Sequence, residues 1–298
     1  MLRFVLLQLG KLVLWLAGAL LAAAALSALA APHGLRDFPG AFLPRLLGYA
    51  HLNFGSSSVD GVPAMQTVMA GLPQTLDLLA WGALIAFAVG VPLAVAFGRG
   101  AIRRATVPLI QFIGSAPVFC GGLVLAWLAH QFFQWQVATH GDAGLALGLP
   151  AAVLRGDAAS AAAGFRQLLL PALTVGAAGA ASVQLALRRA ASQADNEPYR
   201  LGLKLMGLGT IEIERVYVLP QVFAGLFASA GEIMLTLISA AAVAEWVFSW
   251  PGDAVLFVKS VALSDWNVAA LVLLVFAALK FAADFAGRTA ARVLDYGL

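Results

Sequence analysis

Long apolar runs separated by short polar segments dominate the chain, and about six of them are long enough to cross a bilayer, which takes about 20 apolar residues per helix. The third run is interrupted by Pro108 and Pro117, and the fifth and sixth contain charged residues. The pattern predicts an all-α integral membrane protein with about six transmembrane helices. In chain order, the predicted spans are 12–31, 78–98, 105–134, 167–187, 220–247 and 266–290.

The Lys and Arg residues predict the orientation, because cytoplasmic loops of membrane proteins carry an excess of them. With the N-terminus inside, the cytoplasmic side receives Arg3, Lys11, Arg99, Arg103, Arg104, Arg188, Arg189, Arg200, Lys204, Arg215, Arg288 and Arg292. The outer side receives only Arg36, Arg45, Arg155, Arg166 and Lys259. This excess predicts that both termini are cytoplasmic.

The first span has a second interpretation. Lys11, the apolar run after it and the sequence Ala28-Leu29-Ala30 are also typical of a cleavable signal peptide. The charge-free run is longer than the core of most signal peptides, and more spans follow, so we favour a membrane helix.

Composition agrees with a membrane protein. Hydrophobic residues make up 61% and charged residues 11%, with a mean hydropathy of +0.89. Soluble domains are about half apolar and a quarter charged. The net charge of +3 is spread through the loops, which makes nucleic acid an unfavoured partner. The single cysteine, Cys120, lies in an apolar run and has no partner for an internal disulfide.

The polar segment 197–220, between two predicted spans, is the most specific feature of the sequence. Residues 199–206 can form a short helix that Gly207 and Gly209 interrupt, since glycine turns a chain sharply at low cost. Thr210 is predicted to cap a second short helix, with Glu212 near its positive end. We expect apolar side chains on one face of the first helix, namely Leu201, Leu205 and Leu208, and basic ones on another, namely Arg200 and Lys204.

Two short amphipathic helices at an angle form a projection that fits a groove on a partner protein. An ordinary amphipathic surface loop is the alternative. The order of Gly207, Tyr217 and Leu219-Pro220, at their spacing, favours the first interpretation, because this pattern resembles the cytoplasmic loop of bacterial ABC importer permeases.

Further blocks resemble the oligopeptide/dipeptide/nickel class of these permeases. In chain order they are NFGSS at 53–57, LPQTLDL at 72–78, GVPL at 90–93, SAPVF at 115–119, LPALT at 170–174 and EWVFSWPG at 245–252. The outer run at 51–63 is most similar to the Sap-type permeases linked to antimicrobial peptides and polyamines. The sequence departs from the family pattern at 31–34, and the small residues usual before Gly207 are mostly replaced.

The resemblance implies an inner-membrane subunit that forms half of a translocation pore for peptides, with nickel, polyamine or antimicrobial peptide as alternative cargo. It divides the chain into residues 1–71, an N-terminal helix and periplasmic loop, and residues 72–298, a permease core with a cytoplasmic coupling loop at 188–220. The implied partners are a second homologous permease, two cytoplasmic ATPase subunits, a periplasmic substrate-binding protein and membrane lipid. ATP and Mg would be bound by the ATPases, and this chain would hold no cofactor, metal or catalytic residue.

Two groups of candidate site residues follow. The loop residues expected to contact the ATPase are Tyr199, Arg200, Lys204, Leu205, Gly207, Leu208, Gly209, Glu212, Arg215, Leu219 and Pro220. The residues expected to line a pore or gate are Asp77, Gln184, Glu232, Glu245, Phe248 and Trp250.

Two other classes are less well supported. The sequence contains no Gly-x-x-x-x-Gly-Lys-Ser/Thr loop for ATP, and its four His residues are scattered. A membrane-embedded enzyme would need clustered polar groups inside the membrane. Lys280 and Asp284, four residues apart, are better explained as a structural ion pair on one helix face. An ion-driven secondary transporter would show broken helices repeated in two halves, and no such symmetry is present in the sequence.

Overall fold

The computed structural model describes residues 2–29, 38–96, 158–195 and 199–296, with four isolated helical positions between 123 and 131. In these ranges the chain is almost entirely helical. The elements in order are α1 (Leu2–Leu29), α2 (Phe38–Ala50), α3 (Ala64–Ala96), α4 (Ala158–Asp195), α5 (Tyr199–Leu205), α6 (Thr210–Glu212), a π-helical segment (Ile213–Val218), α7 (Leu219–Ala228), α8 (Ala230–Val247), α9 (Asp253–Ala262) and α10 (Trp266–Tyr296).

Four described helices are long and apolar enough to cross a membrane: Ala64–Ala94, Gln167–Ala194, Ala230–Val247 and Trp266–Leu294. They correspond to the predicted second, fourth, fifth and sixth spans, and the all-helical membrane class is thereby confirmed. The predicted first span, 12–31, overlaps α1 from residue 12 to residue 29, and its last two residues lie outside the described ranges. The predicted third span, 105–134, lies outside the described residues apart from the four isolated positions.

The predicted fifth span, 220–247, is wrong as a single helix. It is divided at Ser229, whose φ of −89° and ψ of 5° depart from helical values, and whose hydroxyl donates to the carbonyl of Gly225 at 3.0 Å. A serine that bonds back to the preceding turn bends a helix. The 18 residues of α8 rise about 27 Å at 1.5 Å per residue, close to the thickness of the apolar part of a bilayer.

Close contacts between α3, α4 and α8 form the main core, with α10 packed beside them. A Cβ added at Gly82 would lie 2.5 Å from Val175, and one added at Gly176 would lie 2.5 Å from Ile85. Lipid tails are as apolar as leucine, so helices associate in a membrane chiefly by packing, and small residues let their backbones approach. Gly82 and Gly176 thus allow α3 and α4 to pack closely.

The outer segment 51–63 is fixed to the beginning of α10. Asn267 donates to the carbonyl of Ser56 at 2.9 Å, and the hydroxyl of Ser57 donates to the buried carboxylate of Asp265. Gly55 and Gly61 adopt φ values of +74° and +68°, a conformation that glycine adopts readily, and the chain turns at both. These contacts hold the segment against the predicted periplasmic end of the bundle.

The pairing expected between Lys280 and Asp284 is wrong. Asp284 instead forms an ion pair with Arg288 at 2.9 Å, one turn further along α10. Lys280 lies 4.8 Å from the centroid of the Trp15 ring on α1, a cation–π contact. Because i,i+4 partners exist on both sides of Asp284, sequence spacing alone does not decide between them.

Candidate functional site

The loop between α4 and α7 turns at Gly207. The N–H of Gly207 donates to the carbonyl of Lys204 at 3.1 Å, and the N–H of Leu208 donates to that of Leu203 at 3.3 Å. This bond pattern is the Schellman motif, which places a left-handed residue just after a helix. Gly207 has φ +85°, which side chains resist, so the predicted glycine turn is confirmed.

An apolar contact accompanies the motif and fixes the loop to the bundle. Leu203 and Leu208 pack against a small cluster of Ala194, Ile213 and Val218. Ala194 belongs to the last turn of α4, so the loop is joined to the end of a membrane-spanning helix by packing as well as by the chain. A displacement of the loop would therefore be transmitted to α4.

The second short helix begins at Thr210 itself, so the prediction that Thr210 caps it is wrong. The N-cap residue is Gly209, and no side chain caps this helix end. Glu212 lies in the first turn, where a negative charge is favourable, as expected. The helix then widens into the π segment and continues into α7 without a break.

Pro220 explains the π segment. A proline inside an α-helix clashes with the carbonyl four residues before it, here that of Val216, and has no N–H to donate. The wider π turn relieves this crowding, and the N–H of Leu219 accordingly bonds to the carbonyl of Glu214, five residues back. Leu219-Pro220 thus fixes the path by which the loop enters α7.

The loop exposes a compact apolar surface, which we call the loop tip. Leu205, Met206 and Ile211 are 80%, 79% and 72% exposed. Apolar side chains gathered at the end of a projecting loop are typical of a contact surface for a partner protein. The expectation that Leu205 and Leu208 share one face is wrong, because the Schellman turn directs Leu208 inward to Leu203 while Leu205 faces outward.

Polar members of the predicted loop site flank the loop tip. Lys204, Glu212 and Arg215 are exposed, and Leu219 is 46% exposed. The backbones of Tyr199 and Arg200 begin α5, and their side chains lie outside the described set. The loop therefore exposes three large apolar side chains and three charged groups within one short segment of the chain.

A second constellation joins α3, α8 and α9 around Glu245, whose side chain is fully buried. One carboxylate oxygen accepts from the Thr75 hydroxyl at 2.8 Å, and the other accepts from the N–H of Val255 at 2.8 Å. Val255 is the third residue of α9, so Glu245 supplies the negative cap that the N-cap residue Gly252 cannot. Glu245 is thus buried among α3, α8 and α9, where it caps the N-terminus of α9.

The turn between α8 and α9 explains the EWVFSWPG block. Ser249 adopts φ +53°, and the N–H of Trp250 returns to the carbonyl of Glu245 at 2.8 Å. The Trp250 indole donates to the carbonyl of Gln74 at 3.1 Å, which ties the turn to α3, while Phe248 is buried in the main core. The Glu245 carboxylate lies directly against Gly252, leaving no room there for a side chain.

Two members of this constellation were not singled out from the sequence. Thr75 and Asp253 are both fully buried, and the N–H of Asp253 donates to the Thr75 hydroxyl at 2.7 Å. Thr75 lies in the LPQTLDL block beside the predicted Asp77, which is only half-buried. The signal available for Thr75 was its place in a block that resembles a family pattern. Asp77 was selected instead because it is charged.

The remaining pore candidates lie apart from this constellation. Gln184 is 3% exposed in α4, and its carbonyl oxygen has no hydrogen-bond partner in the described part of the chain. Glu232 is in the first turn of α8, not in the middle of a span as expected, because Ser229 ends the preceding helix. Its carboxylate lies 3.4 Å from Arg189, with both side chains mostly exposed.

A bundle of membrane-crossing helices with a rigidly attached loop that exposes an apolar tip defines a membrane subunit built to work with a second protein. Residues 82–295 match the family described as the binding-protein-dependent transport system inner membrane component, and the chain belongs to this family. It is a transport permease subunit and a multi-pass inner-membrane protein. Membership implies ATPase and substrate-binding partners.

Curated relatives are similar at modest identity. The putrescine export system permease protein SapB of Escherichia coli K12 is 28% identical over 222 residues, covering 69% of this chain and 68% of that protein. The probable D,D-dipeptide transport system permease protein DdpB of the same strain is 26% identical, with 72% and 67% covered. The di/tripeptide permease protein DppB of Pseudomonas aeruginosa UCBPP-PA14 is 24% identical, with 78% and 72% covered.

Proposed function

We propose that the chain forms half of the translocation pore of an ATP-driven importer of the di- and oligopeptide class. Its topology would be six spans with both termini cytoplasmic, which the Lys/Arg distribution supports. The observation that carries the mechanism is the loop at 199–220, which exposes the loop tip while Leu203, Leu208 and Ile213 pack the rest of the loop onto the end of α4. The names of the similar DdpB and DppB proteins support a peptide substrate.

In the proposed complex, this chain pairs with a second homologous permease and two cytoplasmic ATPase subunits. A periplasmic binding protein delivers the substrate to the outer side. Binding of ATP and Mg between the two ATPases would bring the ATPases together. The loop tip of this chain, seated in a groove of one ATPase, would move with that ATPase. Because the cluster of Leu203, Leu208 and Ile213 is packed on Ala194, the loop moves α4 and α7 with it and changes which side of the pore is open.

A polyamine substrate is the second candidate, since the similar SapB protein is named as a putrescine export permease. The two candidates differ in the competitor that blocks transport. Vesicles containing the whole complex would receive labelled dipeptide on the periplasmic side of the permease or labelled putrescine on its cytoplasmic side. The peptide assignment is supported if unlabelled peptide blocks dipeptide uptake and putrescine does not. If putrescine blocks transport and unlabelled peptide does not, putrescine replaces peptide as the proposed substrate.

The isolated chain is expected to show no ATP hydrolysis above background, because its sequence contains no phosphate-binding loop. The measurement is phosphate release by the purified chain in lipid nanodiscs, beside the complex reconstituted with its ATPase subunits. Turnover by the isolated chain that survives a further purification step would contradict the permease assignment.

Replacing Glu232 with glutamine is expected to leave assembly intact and to alter the uptake of cationic substrates. Its ion pair with Arg189 is exposed on both sides, and such pairs contribute about 0–1 kcal/mol. Thermal unfolding of the complex and competition by a lysine-containing peptide measure the two effects. A loss of more than about 2 kcal/mol would show that a partner encloses the pair.

A further inference from the structure

Asp253, the first residue of α9, has an unusual environment for a carboxylate. The residue is fully buried, and neither of its carboxylate oxygens has a hydrogen-bond partner within the described chain. One oxygen lies so close to Gly71 on α3 that a Cβ added there would be 2.5 Å away. An ionised carboxylate removed from water without donors is strongly destabilised, so such a group tends to become neutral.

Among the described residues, the neighbouring groups supply no compensation. Thr75 is committed, since its hydroxyl accepts from the Asp253 N–H and donates to Glu245. Both oxygens of Glu245 already have donors, whereas neither oxygen of Asp253 has one in the described part of the chain. The local hydrogen bonds therefore favour one ionised carboxylate in the constellation and leave the second without support.

Charges on the packed elements act in the same direction. The helices packed against α9 are α3, α8 and α10, and the charged neighbour that acts on Asp253 is Glu245 of α8. Asp77 on α3, Asp265 before α10 and Lys259 on α9 do not contribute. Burial, followed by the negative charge of Glu245, raises the pKa of Asp253 from 3.8 to about 7.

We propose that Asp253 is a proton-binding site, occupied while α9 is packed between α3 and α8 and vacated when that packing opens. A proton from solution binds to one Asp253 carboxylate oxygen, and no other bond forms or breaks. The constellation then carries a single negative charge, located on Glu245. Opening of the turn between α8 and α9 exposes Asp253 to water, where its carboxyl group releases the proton.

The sign of the pH dependence follows from the two states. An unfolded Asp releases its proton near pH 3.8, whereas the folded protein retains it to about pH 7. The folded state therefore binds more protons in this window, and stability falls as pH rises through it, then levels off.

The test measures apparent melting temperature of the full chain in lipid nanodiscs from about pH 5 to about pH 9. The wild type is expected to lose several degrees up to about pH 7 and then to remain constant. Asp253→Asn, a mimic of the neutral acid, should remove this loss and melt above the wild type at the alkaline end. Asp60→Asn, the same change at an exposed aspartate, should retain the wild-type profile.

A second measurement does not depend on the variant folding. Infrared difference spectra of the wild type should contain a carboxylic C=O band that persists at about pH 6, where exposed carboxyl groups are ionised. That band should be absent from folded Asp253→Asn and present in Asp60→Asn. A wild-type profile without the loss, a missing band, or stabilisation that requires Na⁺ or K⁺ instead of acid would overturn the proposal.

Discussion

Replacing Glu245 with alanine is expected to destabilise the folded chain by about 3 kcal/mol, a large effect for one substitution. The change removes the acceptor of two buried hydrogen bonds, from Thr75 and from the N–H of Val255. Hydrogen bonds to charged groups contribute about 1.5–3 kcal/mol each, and the donors would be left buried without partners. Above about pH 7, where Asp253 is ionised, relief of its repulsion by Glu245 offsets part of the loss.

Thermal unfolding of the full chain in nanodiscs measures this effect, and limited proteolysis between α8 and α9 locates it. Glu212→Ala is the matched control, since that glutamate is exposed and should cost about 0.5 kcal/mol at most. Thr75→Val should give an intermediate loss, because it keeps the shape but leaves the Asp253 N–H unpaired. If Glu245→Ala melts with the wild type, the carboxylate does not cap α9.

The loop was predictable because its structure is local. The glycine, the short helices on each side and the proline that follows act within a single segment, so their spacing carries the information. The cap of the second helix was not predictable, because Gly209 and Thr210 are both acceptable N-cap residues and the sequence does not distinguish between them. The direction of Leu208 depends on the turn at Gly207, which sequence periodicity does not supply.

The constellation at Glu245 was not predictable, because it is assembled across the fold. Thr75 and Glu245 are 170 positions apart, and the Thr75–Asp253 bond spans 178. Sequence reasoning marked Glu245 as a charge near the end of a span and assigned it to the pore. The capping contact of Glu245 depends on α9 beginning against it, which follows from the turn at Ser249 and from close packing at Gly252.

Span ends were the least predictable part of the membrane region. Apolar residues predominate from residue 220 to residue 247, and the few charged residues among them, Glu232 and Glu245, do not mark a break at Ser229. That break depends on the hydrogen bond from the Ser229 hydroxyl to the carbonyl of Gly225. The presence of a serine alone does not predict it, because serine also occurs within unbroken helices of this chain. The position of Glu232 at a helix start follows from this break alone.

Replacing Gly207 with aspartate is expected to leave the membrane helices folded but to abolish transport and weaken binding of the ATPase subunits at least tenfold, about 1.4 kcal/mol. Nothing lies within 4 Å of a Cβ at this position, so the new side chain has room. The cost arises from φ +85°, about 1 kcal/mol for a residue other than glycine, and from a charge placed beside the apolar loop tip.

Gly61 provides a matched control for both costs. It has φ +68° and, like Gly207, open space around an added Cβ, but it lies in the outer segment on the predicted periplasmic side. Gly61→Asp should therefore carry similar strain and the same charge while leaving ATPase binding unchanged. The measurements are co-purification of the ATPase subunits and substrate uptake by cells at equal permease levels. Wild-type binding and uptake by Gly207→Asp would show that 199–220 is not the coupling loop, because the contact that drives the pore would then lie elsewhere.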